Sequence, residues 1–109
     1  MELDIITHSQ INNLAKKIDY AAGGIVSKTI VKEKNGNVSL FSFDKDQFLS
    51  EHTAPFNAFL QVIEGIGCII IAGKEYVLNT NESIIMPASV PHSVKAIEKF
   101  KMLLTLIKQ

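Results

Sequence analysis

The sequence predicts an all-β protein, an antiparallel sandwich or barrel formed by a single domain. Three observations lead there. Beyond residue 24 the apolar residues recur with a period of two, the period of strands with one buried face. Turn-forming residues interrupt that pattern at intervals of roughly 8–12 positions, as in folds of many short strands. The chain has 109 residues, enough for one hydrophobic core.

The elements follow in order. Ser9, with Ile11, Leu14 and Ile18 behind it, reads as a short amphipathic helix with a serine N-cap, and Ala21-Ala22-Gly23-Gly24 breaks it. Strands are then expected near residues 25–32, 38–43, 47–52, 59–64, 67–72, 75–78, 83–86, 92–97 and 101–107. Asn35-Gly36 is a strong two-residue hairpin signal, and Gly73-Lys74 a weaker one. Residues 1–34 form an N-terminal arm, a short helix plus a strand packing on the barrel, and residues 35–109 form the barrel core.

Strand faces follow from parity. Counting in twos from His52 puts Phe48, Ser50, His52 and Ala54 on one face. In the next two strands, read as a hairpin, the matching residues are Ala58, Leu60 and Val62, then Gly67, Ile69 and Ile71. The other face of the second strand carries Ile66, Cys68, Ile70 and Ala72, so both of its faces are apolar. Antiparallel strands normally wet one face. A second copy of the chain covering this sheet, a homodimer, is the expectation; a second sheet within the chain is the alternative.

Composition narrows the function classes. Eleven basic residues balance eleven acidic ones, with no basic stripe, so no nucleic-acid partner is expected. No run approaches the roughly 18 apolar residues of a membrane span. The opening MELDIITHSQ lacks the apolar stretch of a signal peptide. A single cysteine, Cys68, suits a reducing compartment, and cytoplasmic residence is expected. Every basic residue is lysine, so bidentate guanidinium clamping of a carboxylate or phosphate is unavailable.

The two stretches richest in information are SEHTAPFNAFLQVIEGIG and NESIIMPASVPHSV, each with one histidine. Their spacing resembles that of the cupin superfamily, small antiparallel jelly-roll barrels (double-stranded β-helices). The family's first motif is Gly, five residues, His-x-His, three or four residues, Glu, six residues, Gly. Asp46, His52, Ala54, Ala58 and Gly65 fall on those positions. The second motif is Gly, five residues, Pro-x-Gly, two residues, His, three residues, Asn. It falls on Asn81, Pro87, Ser89, His92 and Ala96. No insertion is needed within or between the motifs.

The resemblance implies a barrel in which three histidines and a glutamate would hold a transition metal. This chain keeps His52 and His92 and has alanine at the other two positions. Catalytic metal sites usually need three protein ligands and an open position, so no cofactor is expected beyond a weakly bound divalent metal at His52 and His92. His8, Met86, Glu51, Gln61 and Glu64 are the other candidates for a third ligand, and none has a convincing position. Removing a histidine and a glutamate leaves space, expected to be lined by Ala54, Ala58, Leu60, Phe56 and Met86, with Val62 and Ile69, around the two imidazoles. An apolar pocket with a few convergent polar groups is the usual small-ligand site. The expected function is small-molecule binding by a degenerate cupin site, with little or no catalysis. The alternative is a cupin enzyme, either a sugar-type isomerase or epimerase, or a weak metal-dependent oxidoreductase, using His52 and His92. Two satisfied core histidines in an inert domain is the plain alternative to both. Lys95, Lys99, Lys101 and Lys108 read as a solvated face.

Overall fold

The computed structural model describes residues 8–108. Nine strands form, β1 (Ile25–Glu33), β2 (Gly36–Phe43), β3 (Phe48–His52), β4 (Asn57–Gly65), β5 (Gly67–Ile71), β6 (Lys74–Leu78), β7 (Ser83–Met86), β8 (His92–Lys95) and β9 (Phe100–Ile107). They occupy all nine predicted segments. They build two antiparallel sheets, β1-β2-β9-β4-β7 and β3-β8-β5-β6. Between the sheets lies a core that includes Phe43, Leu60, Val62, Ile69, Val94, Phe100 and Met102.

Three local readings change. First, β4 and β5 are not a hairpin: they lie in different sheets, and Gly65-Ile66-Gly67 carries the chain across. The crossing runs tight against Phe100. Gly65 has φ +80°, and a Cβ there would sit 3.0 Å from Phe100 Cα. Phe100 is immobilised in turn, its ring stacked on Phe43 with centroids 4.8 Å apart. Second, both hairpin turns sit one residue earlier than expected. Glu33 pairs with Gly36, so Lys34-Asn35 makes the first turn. Gly36 lies in the strand, at a position where a Cβ would meet the Leu106 carbonyl oxygen at 2.8 Å. The second turn is Ala72-Gly73, with φ of +50° and +81°, the double positive φ of a type I′ turn.

Third, the N-terminal helix shrinks to one 3-10 turn, Leu14–Lys16, and Ser9 caps nothing. A short isolated helix is marginal in water, and tertiary contacts hold the following residues out of a helix. Ile18 is buried with Ile30 and Leu40 in a second small core on the outer face of the five-stranded sheet. The Ser42 hydroxyl donates to the Asp19 carbonyl at 2.7 Å. The Tyr20 hydroxyl donates to Glu64 at 2.6 Å. Lys101 was expected on a solvated face; it is buried here, its ammonium donating to the Ala15 carbonyl and lying 3.5 Å from Glu64. Glu64 points outward to these partners because a register shift between Val62 and Glu64 breaks the parity of β4.

Candidate functional site

His52 ends β3 and His92 opens β8, and the two are register partners across the strand pair. Their Nε2 atoms are 3.1 Å apart and their rings meet edge to face, with centroids separated by 4.3 Å. His92 is buried and His52 exposed, so the pair spans from interior to rim. The backbone settles part of the chemistry. His52 Nδ1 lies 2.8 Å from the Ser50 carbonyl oxygen, and His92 Nδ1 3.1 Å from that of Val90. A carbonyl oxygen only accepts, so each Nδ1 carries its hydrogen and donates. Neutral rings in that tautomer leave both Nε2 atoms as acceptors. The Nε2–Nε2 contact is a hydrogen bond only when one further proton sits between the rings. The pair therefore has two states, one proton-holding and one offering two converging acceptors.

A cavity of about 130 Å³ opens beside the pair. Leu49, Ala54, Phe56, Ala58, Met86, Val94, Met102, Leu104 and Leu106 complete its lining, and among the described residues the two imidazoles are its only polar side chains. Six of the nine residues expected around a ligand border it: His52, His92, Ala54, Ala58, Phe56 and Met86. Leu60 does not; with Val62 and Ile69 it is fully buried in the solid core. Leu49, Val94 and the β9 residues Met102, Leu104 and Leu106 were missed. Leu49 was missed because the register shift between Leu49 and His52 defeats parity along β3. It brings Leu49 and His52 to the same cavity and leaves Phe48 and Ser50, expected inside, exposed. The β9 wall was missed because the strand carries none of the motif positions, although its alternation Phe100, Met102, Leu104, Leu106 was a usable signal.

The metal-ligand positions give a clear answer. Imidazoles oriented by Nδ1–H donation to carbonyls are the arrangement usual for metal-bound histidine. Yet Ala54 and Ala58 place methyl groups at the other two positions. Among the described residues no group of three or more His, Cys, Asp or Glu side chains converges. Two donors do not make the four-ligand cage, so the residues present do not fit the family's metal. Cys68 is buried, and burial, followed by the charge of Glu75, pushes its thiol up, opposite to the lowering that marks reactive cysteines.

The motif positions that are glycine in the family are conformationally intact. Asp46, Asn81 and Ser89 have φ of +70°, +74° and +63°, and Gly65 has +80°. Asp and Asn are the L residues most tolerant of that region. The backbone thus keeps left-handed conformations at all four glycine positions, while two ligand positions have become alanine.

Comparison with known proteins agrees. A cupin-domain family profile matches residues 39–107. No curated protein matches the chain. Among solved structures, SPY1581 from Streptococcus pyogenes, a conserved protein of unknown function, is similar with a TM-score of 0.92 and 28% identity, covering 100% of this chain and 96% of that one. A cupin 2 conserved barrel domain protein from Leptotrichia buccalis is 40% identical with a TM-score of 0.86, over 89% of this chain and 47% of its own length. A cupin superfamily protein from Desulfitobacterium hafniense shares the fold, with a TM-score of 0.91 at 20% identity over the full length of both chains. With its two facing sheets, its paired motif histidines and its left-handed motif positions, the chain belongs to the cupin domain family.

Proposed function

We propose that this protein binds a small organic molecule in its barrel without a metal. The observation that carries the reading is an apolar cavity whose only polar side chains, among the described residues, are two imidazoles in contact. A cavity of about 130 Å³ is near the size of an engineered cavity that takes up benzene. The ligand class is therefore a compact, largely apolar molecule with one polar head, a carbonyl or a hydroxyl. A hydroxyl donates to a free Nε2; a carbonyl accepts from the pair in its proton-holding state. Highly charged ligands fit poorly, because the lining offers no counter-charge beyond that proton.

A second reading has one specific observation behind it. Two imidazoles with Nε2 atoms 3.1 Å apart at the edge of a cavity are placed to pass a proton to and from a ligand, so a metal-independent isomerase or epimerase is the alternative. A metal-dependent oxidoreductase would need donors that Ala54 and Ala58 cannot give.

The test is elemental mass spectrometry of tag-free protein beside the His52→Ala/His92→Ala double variant, with a thermal-shift screen of small carbonyl and hydroxyl compounds on both. The expected result is metal far below one per chain in each, and stabilisation by some compounds of the parent protein only. Near-stoichiometric metal, lost in the double variant, would overturn the reading.

Assembly as a homodimer is part of the proposal. On the outer face of the four-stranded sheet, Phe48, Lys95, Cys68 and Val77 form one cross-strand row. Phe48 and Val77 are 64% and 55% exposed. A two-fold axis through the middle of the row would set each copy's Phe48 against the other's Val77. Sedimentation of the parent protein and of Val77→Lys tests it, with dimer expected only for the parent. Cytoplasmic residence is likewise proposed, from the lone buried cysteine.

A further inference from the structure

We infer that Phe56 determines how long a ligand the barrel accepts, by standing as a movable partition between the interior cavity and a second chamber outside it. The inference rests on the interior cavity being the ligand site. Beyond Phe56 lies a surface chamber of about 380 Å³, bordered by Pro55, Phe56, Asn57, Ala88 and Ile107. Phe56 is the residue common to this lining and that of the interior cavity.

The backbone on either side of Phe56 is tied down. The Ala54 carbonyl accepts the Ser89 N–H at 2.7 Å, and Asn57 Oδ1 accepts the Ala88 N–H at 2.9 Å. Pro55 restricts the stretch between. The loop carrying Phe56 is thus bound at both ends to the loop between β7 and β8, and the ring is the part left to turn. Lys108 holds the ring from the outer side, its ammonium 5.5 Å from the centroid, next to Ile107 of the outer chamber. With the ring in place, the interior takes a group of benzene size. With the ring aside, a tail continues into the larger chamber. Phe56 is a specificity-determining residue, not a catalytic one.

The experiment uses the full chain with ¹³C-labelled methionine methyls, because Met86 and Met102 both border the interior cavity. Toluene and n-butylbenzene are the probes, titrated into the parent protein, Phe56→Ala and Phe56→Leu. In the parent, toluene shifts both methyls, and n-butylbenzene binds about tenfold more weakly. In Phe56→Ala, n-butylbenzene gains about tenfold or more while toluene changes little. Phe56→Leu, which keeps an apolar side chain on the loop, falls between and serves if the alanine variant fails to fold. If the toluene to n-butylbenzene ratio is the same in all three proteins, Phe56 is an ordinary wall and the inference is overturned while the binding site stands. If toluene moves neither methyl in any of them, the binding site itself is refuted, and the inference with it.

Discussion

Gly65 and Gly73 allow a controlled test of what holds the barrel crossing. Both have nearly the same backbone angle, φ +80° and +81°. They differ in their surroundings. A Cβ on Gly73 meets nothing within 4 Å, whereas one on Gly65 clashes with the Lys99 carbonyl oxygen and sits 3.0 Å from both Cα and Cβ of Phe100. Replacing either with alanine costs about 1–2 kcal/mol for the left-handed conformation. Alanine returns about 0.4–1 kcal/mol by restricting the unfolded chain. Gly73→Ala should therefore lose about 1 kcal/mol. Gly65→Ala carries an overpacking cost of about 1–3 kcal/mol in addition. The neighbours cannot yield cheaply, because one is backbone and Phe100 is stacked on Phe43. The total is about 2–4 kcal/mol. At about 4 °C per kcal/mol for a domain of this size, Tm should fall by about 4 °C in Gly73→Ala and about 8–16 °C in Gly65→Ala. Thermal unfolding followed by circular dichroism reads both. Equal losses would refute the reasoning: the crossing would then need glycine only for its backbone angle, and Phe100 would not be the obstacle.

Three further outcomes are expected. Ala58→Val adds bulk to the cavity wall; stability should change by less than about 1.5 kcal/mol, since the space is there to fill, while toluene binding weakens by about tenfold or more. Unchanged toluene binding would place the ligand elsewhere. Tyr20→Phe should reduce the acid sensitivity of folding. The Tyr20 hydroxyl, then the nearby lysines, hold the Glu64 carboxyl below its usual 4.5, against an opposing effect of burial. A carboxyl lowered on folding adds stability above its unfolded value, and that stability is lost as pH falls through the folded value. Urea midpoints at pH 6 and pH 3 should therefore lie closer together in the variant than in the parent, and an unchanged gap would show that Tyr20 is not the main cause. Ser42→Ala should cost about 1 kcal/mol in urea unfolding, because it removes the fully buried hydroxyl that binds the Asp19 carbonyl and leaves that acceptor unmatched. No loss would mean that the Ser42 bond adds nothing to the apolar contacts and the Tyr20 and Ala15 bonds that also hold the segment.

What the sequence determined by itself was the set of strands and the identity of the histidine pair. Strand periodicity is local and survives in any fold with one buried face, so nine segments were legible from residue 25 onward. The motif spacing found His52 and His92 as partners, and it found alanine at the family's other two ligand positions. It also marked Asp46, Asn81 and Ser89 as the positions standing where the family has glycine, and their left-handed backbone agrees. What only the tertiary structure decided were the features set by contacts far apart in sequence. Ser9 to Ile18 had helical spacing, but burial of Ile18 and the bonds to Asp19 and Tyr20 hold the end of that segment out of a helix. Parity along β3 and β4 failed at two register shifts, which decided that Leu49 faces the cavity and Glu64 does not. Neither shift leaves a mark in composition, because each is fixed by how a neighbouring strand pairs. The cavity's far wall on β9, the partition at Phe56 and the tautomers imposed on the histidines by the Ser50 and Val90 carbonyls follow from the same cause. Periodicity reports which residues share a face, and only the packed strands decide what that face meets.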